Sequence, residues 1–515
     1  MSKPITSGIR FITDGVHPAL AAFVIFVLAA VAWIPHLGQS LLLDETLTFW
    51  VIRDGLAETL DRTLHFQPQP AYYLFMWFFS QFAGTSEIAL RIPSLIATLA
   101  ACYAIAKLGA LLAQDRETGL IAAIVFATTW NVYREAIDAR SYMLGLVVLL
   151  ALALCLIRWL EEGHMRNAGY CGVLAVLLPH VHLFFVLCYP ALFAYGWFRR
   201  GEARWEAKQF GLISAILVVG ALLYLPVAEM LAAQGGSYSF VASPRWRSLF
   251  EVFVWVAPVA GLLVGTALAG VFGHLPFAES GAGREDNDSI DKTDETQAPL
   301  FVSALPMSST IFLATWMLVP LVLLFSVSFF TDLSVFLGRY LIPAIPAVSI
   351  LYAIALRRID SGPARIVAIG VMILASLVIH ERPRDDFRAA AEAVNEFIAD
   401  ADSTPVFLAS GLIEGEEPKW LADPVLADYL NAPTEYYPIK GRLITLPRRL
   451  KGHPMTAAIV RPILSSADRF VVVEWFGNGA RATGWFLSRA EKAGYVGDPR
   501  SFGGVRVVFF KAKAS

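Results

Sequence analysis

Ala21-Ala22-Phe23-Val24-Ile25-Phe26-Val27-Leu28-Ala29-Ala30-Val31-Ala32-Trp33-Ile34 is an unbroken apolar run. It is followed by Pro35-His36-Leu37-Gly38-Gln39-Ser40 and then by Leu41-Leu42-Leu43-Asp44-Glu45-Thr46. An apolar run, a polar break and two carboxylates read as a membrane span that delivers Asp44 and Glu45 to the membrane–water boundary. Acidic residues near a bilayer cost ~2.5–3.5 kcal/mol at mid-depth on insertion scales, so each calls for an explanation. Alone, the pair has a plain one: Asp44 as the N-cap and Glu45 in the first turn of a short amphipathic helix, Glu45 to Arg53.

Composition extends the reading to the whole chain. Across 515 residues the sequence is 57% hydrophobic and 16% charged, against ~25% charged in soluble domains. A polytopic α-helical membrane protein is expected. A net charge of −2 gives no nucleic-acid footprint. Cys102, Cys155, Cys171 and Cys188 all lie within apolar runs and read as small buried hydrophobes. The first run lacks a clear small-residue cleavage site and reads as a signal anchor.

Runs able to cross a ~30 Å core lie roughly at 18–36, 88–112, 118–134, 141–160, 167–182, 183–198, 209–230, 248–274, 300–329, 335–356 and 363–380. That is about eleven spans. Ala71 to Phe82 is apolar but short, and reads as interfacial or re-entrant. With the N-terminus inside, Lys107 and Arg116, Arg158 and Arg166, Arg199, Arg200, Arg204 and Lys208, and Arg357, Arg358 and Arg365 fall in cytoplasmic connections, as positive charge should. The acidic insert within 276–298 reads as a disordered cytoplasmic loop. From 381 to 515 the composition is that of a soluble domain. Asp386–Ala399 and Gly484–Ala493 read as helices, and Pro405–Ala409, Phe470–Trp475 and Val505–Lys511 as strands. An extracytoplasmic α/β domain follows, in which Glu474-Trp475 and Tyr436-Tyr437 read as packing rather than substrate contacts.

This topology sends the polar residues of the membrane half to one boundary. Asp44 and Glu45 share the first outer loop with His65, Gln67 and Gln69. Glu135, Asp138 and Arg140 form the second, His180 and His182 lie at the third, and Arg339-Tyr340 opens the tenth span. Each has an ordinary alternative, such as a satisfied core histidine or an interface anchor. Together they read as a catalytic cleft.

These stretches resemble the GT-C membrane glycosyltransferases of family 39 type, which include protein O-mannosyltransferases and the aminoarabinose transferase of lipid A. The resemblance rests on Asp44-Glu45; on Gln69-Pro70-Ala71-Tyr72-Tyr73; and on Ser86-Glu87-Ile88-Ala89-Leu90-Arg91-Ile92-Pro93-Ser94. It continues in Asp138-Ala139-Arg140-Ser141-Tyr142, Phe336-Leu337-Gly338-Arg339-Tyr340 and Asp385-Asp386-Phe387-Arg388-Ala389-Ala390. The chain departs from the pattern at Gln69, where the family has Pro, and offers two acids, Glu135 and Asp138, for one family position.

The resemblance implies a polyprenyl-phosphate-linked sugar as donor and an acceptor hydroxyl on the outer face of the inner membrane. It makes Asp44 the base, with Glu45 and Asp138 as further catalytic candidates. Arg339, Tyr340 and Arg140 become candidates for the donor phosphate, which favours paired guanidinium hydrogen bonds. His65, Gln67, Glu135, Tyr142 and His182 are candidates for substrate contacts. A divalent metal on Glu45, Asp138 and His182 stands beside simple hydrogen-bonded orientation. The rival reading, a lipid-linked-sugar flippase or transporter, calls for mid-span charges and an inverted repeat. Mid-span charges are scarce, and the halves show no self-similarity.

Overall fold

The computed structural model describes residues 18–199, 207–223, 225, 244–272, 305–331, 335–359, 361–379, 385–399, 403–448, 450, 453–475 and 481–513. The acidic insert lies outside these residues, as does 380–384, where the expected domain boundary falls. Among the described residues, five helical segments are long and apolar enough to cross a membrane: Glu87–Ala113, Tyr142–Glu162, Met307–Phe330, Gly338–Arg357 and Gly362–Ile379. Shorter apolar helices stand beside them at Ala21–His36, Leu183–Arg199, Gly211–Leu222 and Val256–Ala269. The chain is a multi-pass membrane protein.

Several expected spans are broken, for local reasons. The run at 118–134 divides into Arg116–Thr128 and Trp130–Glu135, because Thr129 adopts extended angles. The run at 183–198 opens as a 3-10 turn, Leu183–Cys188, before its α-helix Tyr189–Arg199. Gly338–Ala344 is likewise 3-10. Pro343 within it and Pro346 just beyond lack the N–H groups a regular α-helix would use there.

Two helices fix the frame. Glu87–Ala113 starts on Ser86, whose hydroxyl accepts from the Ala89 N–H at 3.3 Å. It packs on Arg116–Thr128 so closely that a Cβ at Gly119 would run into the Ala106 carbonyl. At its far end, Asp115 caps the next helix and meets Arg357 at 3.1 Å, while Glu117 meets Arg357 at 3.0 Å and Arg365 at 2.9 Å. Arg91 lies near the other end. The helix has 27 residues; at ~1.5 Å rise each, the two charged clusters are roughly 35–40 Å apart, a membrane's width.

Leu43–Ile52 is a helix as expected, but it is not amphipathic: eight of its ten residues are buried. Pro70–Ala83 buries Tyr72, Tyr73, Met76 and Ser80 and turns Phe75, Phe78 and Phe82 outward. Its 14 residues are too few to cross a ~30 Å core.

The C-terminal part is a five-stranded sheet, β1 (Pro405–Ala409), β2 (Arg442–Leu446), β3 (Arg469–Glu474), β4 (Tyr495–Phe502) and β5 (Val505–Ala512), in the order β2-β1-β3-β5-β4. β1 pairs in parallel with β2 and β3, and β5 pairs antiparallel with β3 and β4. Both faces of β1, β3 and β5 are covered, so these strands are apolar runs, the pattern legible in sequence. The edge strands β2 and β4 read poorly because they are more exposed and β4 contains Gly497 and Pro499, tolerated at an edge. Phe407, Phe470 and Phe510 face Phe486 of the Arg481–Ala490 helix. On the other face, Val406, Leu408, Val471 and Val507 belong to the same core as Trp50 and Tyr72 of the membrane half. Glu474 caps the Arg481–Ala490 helix and Trp475 packs on Phe387, both structural tasks.

Candidate active site

The site is built on a buried ion pair. Arg91 donates from Nε to Glu45 Oε1 at 2.8 Å and from Nη2 to Glu45 Oε2 at 2.5 Å. Its remaining N–H groups go to the carbonyls of His36, Leu37, Gln39 and Ser40. The break after the first apolar run is thus wound around one guanidinium. Glu45 also accepts the Leu42 N–H at 2.8 Å and the Ala139 N–H at 2.9 Å. It is 0% exposed, with both oxygens engaged. Glu45, not Asp44, satisfies the start of the Leu43–Ile52 helix, which leaves the neighbouring carboxylate free of capping.

Asp44 points instead to Arg339, with Oδ2 at 2.7 Å from Nη1. Their side chains are 32% and 29% exposed, so this pair, unlike the one beneath it, stands at an opening. Arg140 donates to the Asp44 carbonyl at 3.0 Å. Burial pushes the Asp44 carboxyl up, but the charges of Arg140, Arg339 and Arg134 outweigh it and hold the group at about 2. Arg339 is fixed from behind: the Ser328 hydroxyl accepts the Val335 and Phe336 N–H groups, and Asn131 donates to the Gly338 carbonyl.

Residues 136–141 bring Asp138 and Arg140 to the site without regular structure, so side chains supply the hydrogen bonds. Ser94 donates to the Asp138 carbonyl at 2.5 Å, Thr98 to that of Ala136 at 3.1 Å and Thr48 to that of Ala139 at 2.7 Å; Ser141 donates to the Gln69 side-chain oxygen at 2.6 Å. Glu135 and Asp138 are both nearly buried. Burial, then the charge of Asp138, push Glu135 up to about 8. A ladder of rings forms the adjoining wall: Tyr142 on His182 at 4.6 Å, His182 near Phe184 at 5.7 Å, Phe184 on Tyr340 at 4.3 Å, and the Arg339 guanidinium over Tyr340 at 5.4 Å.

Some expected residues sit elsewhere. His65 is exposed and pairs with Asp61 on its own helix, away from the rest. Gln67 bridges Tyr73 and Tyr429 of the C-terminal part. Glu45 has no oxygen left for chemistry, because Arg91 and two backbone N–H groups take both. The expected metal set does not assemble either: among the described residues no three His, Cys, Asp or Glu side chains are placed to hold one ion. Sequence reasoning missed Arg91, Ser94 and Thr98 as organisers of the site. Arg91 and Ser94 were in view within the Ser86–Ser94 motif, but nothing in a linear pattern says what a buried arginine grips.

Comparison with known proteins agrees on the fold. No family model and no curated protein matches the chain. Solved structures do. Arabinofuranosyltransferase AftD from Mycobacteria aligns over 98% of this chain and 40% of its own length, at TM-score 0.53 and 15% identity. This chain therefore spans under half of that protein. ArnT from Cupriavidus metallidurans aligns at TM-score 0.45 and 12% identity in the apo state, over 95% of this chain and 97% of its own. Bound to undecaprenyl phosphate, ArnT aligns at TM-score 0.44 and 12% identity, over 98% of each chain. The likeness to AftD is one of fold: the chain shares the GT-C fold with that protein.

Proposed function

We propose that this protein is an integral-membrane inverting glycosyltransferase that moves a sugar from a polyprenyl-phosphate donor to an acceptor hydroxyl. The observation that carries the reading is the half-open Asp44–Arg339 pair, set on the closed Glu45–Arg91 pair. One carboxylate and one guanidinium at an opening are the two groups such a displacement requires.

The acceptor oxygen forms a bond to the anomeric carbon as the bond from that carbon to the phosphate oxygen breaks. The electron pair leaves with polyprenyl phosphate, and the acceptor proton passes to Asp44. Phosphate is a weak base, so its departure calls for positive charge rather than a general acid. Arg339 supplies it, with Arg140 behind. A carboxylate held at about 2 is a poor base, and the same contact resolves this: when Arg339 turns to the donor phosphate, Asp44 loses its partner and becomes more basic. Donor binding thereby arms the base. Attack from the face opposite the phosphate inverts the anomeric centre. Tyr340, partly exposed beside Arg339, offers a ring face to the sugar, with the buried Tyr142 and His182 behind it and Glu135 and Asp138 buried nearby.

The test is to mix purified protein with polyprenyl-phosphate sugars and follow release of free polyprenyl phosphate. Asp44→Asn keeps the size of the side chain and removes the base, so release should fall by ~100-fold or more while donor binding is retained. Near-normal release from that variant moves the role to Asp138. No release from any donor by the unmutated protein, with lipid crossing between leaflets, would sink the enzyme in favour of a flippase.

A further inference from the structure

Four arginines gather at the site, and one of them has no task in the resting structure. Arg91, Arg140 and Arg339 each donate to a carboxylate or a carbonyl. Among the described residues Arg134 donates no hydrogen bond. Its Nε is sealed from water without a partner. The one carboxylate within ion-pair range of it among the described residues is Glu135, with Oε1 at 3.7 Å, beyond hydrogen-bond reach. Burial and Asp138 push Glu135 up to about 8, so at neutral pH it offers Arg134 little negative charge. The Arg134 side chain is nevertheless 37% exposed. A guanidinium carries five N–H donors and stays charged at every working pH, so one left without acceptors is open to an anion.

The helix Trp130–Glu135 brings Arg134 to the flank of Arg339. From this helix Asn131 donates to the Gly338 carbonyl at 3.3 Å, and a Cβ at Gly338 would lie 3.6 Å from the Asn131 side-chain oxygen. The helix therefore rests on the Gly338–Ala344 turn, one residue from Arg339. Asn131 and Arg134 are three residues apart, which puts them on one helix face with Cβ atoms ~5–6 Å apart. The other end of the helix leads into the link at 136–141, where the Asp138 N–H donates to the Glu135 carbonyl at 3.3 Å. Arg134 thus stands between Arg339 and the link that carries Asp138 and Arg140. Its charge is also among those that hold the Asp44 carboxyl low.

We propose that Arg134 is a second phosphate-binding residue, which receives the lipid phosphate of the donor beside Arg339 and keeps it as the sugar leaves. The inference rests on the glycosyltransferase reading. Arg339 gives up Asp44 before it grips a phosphate, whereas Arg134 breaks no hydrogen bond to do so. Arg134 is therefore the first of the two to meet the headgroup. Phosphate oxygens accept several N–H groups at once, which suits a pair of guanidinium forks. As the bond from the anomeric carbon breaks, its electron pair goes to the phosphate oxygen and adds one negative charge there. A second cation beside that oxygen then gains most in the transition state.

Full-length protein in lipid nanodiscs is titrated with polyprenyl phosphate and with the matching polyprenol, which lacks the phosphate. Arg134→Gln should weaken polyprenyl phosphate by ~10-fold and leave polyprenol affinity and the melting temperature unchanged. Arg134→Lys, which keeps the charge without the fork, should recover part of the loss. With a polyprenyl-phosphate sugar, kcat should fall in Arg134→Gln as well, because the phosphate gains charge during the step; an unchanged kcat overturns the role in departure. Equal weakening of both lipids, with or without a lower melting temperature, marks a structural residue and overturns the proposal. So does an Arg134→Gln protein that prefers the phosphorylated lipid as strongly as the unmutated one. An unmutated protein that binds the two lipids alike overturns the lipid-phosphate donor itself, and this inference with it.

Discussion

Two adjacent acids, Asp44 and Glu45, take opposite fates, and the difference is their partners. Glu45 faces a buried arginine and two backbone N–H groups; Asp44 faces one half-exposed arginine. Glu45→Gln leaves Arg91 as a buried charge without its hydrogen-bonded carboxylate, a change that costs ~3–5 kcal/mol in buried pairs. A clear drop in melting temperature is therefore expected for the purified protein. An unchanged melting curve would show that the carbonyls around Arg91 suffice and that Glu45 is available for chemistry. Arg339 is tested by Arg339→Lys. A snorkelling anchor tolerates that change; a two-pronged grip on phosphate does not. Turnover should fall by ~10-fold or more and donor binding should weaken with it, since the phosphate is charged in ground and transition state alike. Full activity in this variant returns Arg339 to the anchor role.

At the scale of elements, the decisive piece is the irregular link at 136–141. It is held by Ser94, Thr98, Thr48 and Glu45, from two helices, because it has no ladder of its own. Glu135 enters this link buried beside Asp138, and its raised value makes a pH prediction. Between the ordinary carboxylate range and about 8 the folded protein keeps a proton that the unfolded chain has lost. Stability should therefore fall as pH rises through that window and level off above it. In Glu135→Gln the group no longer titrates, so the slope should flatten and the protein should gain stability at pH 8–9 relative to wild type. Melting temperatures from pH 5 to 9 check this; parallel curves for the two proteins refute it.

At the scale of the molecule, the two halves share a core and a row of polar contacts. Trp50 donates to Asp428 at 2.7 Å, Arg53 meets Asp428 at 3.0 Å, Arg388 meets Glu87 at 2.5 Å and Tyr437 receives the Leu41 N–H at 2.8 Å. The helix that carries Asp44 is therefore clasped by the C-terminal domain. The charged cluster at Asp115 lies a membrane's width from Arg91, so Arg116 and the C-terminal domain should meet water on opposite faces. Single cysteines at Arg116 and Lys419, in a chain with its four native cysteines replaced, should be labelled from opposite sides of sealed vesicles. Labelling of both from one side sinks the arrangement.

The sequence by itself determined the elements whose signal is local. Long apolar runs with few charges gave the membrane class, and the runs in β1, β3 and β5 gave the covered strands of the C-terminal sheet, because burial on both sides leaves no polar face to disguise them. Asp44, Arg140 and Arg339 were likewise legible as ionisable residues at a boundary where each is costly. Tertiary structure decided what such residues do. That Glu45 is consumed by Arg91, 46 positions away, that His65 turns to Asp61 on its own helix and that no metal set assembles among the described residues are all decided by how the chain packs. A linear pattern shows which side chains are expensive to bury. Only the packed chain shows which of them find a partner, and those left open at a surface are the ones free to meet a substrate.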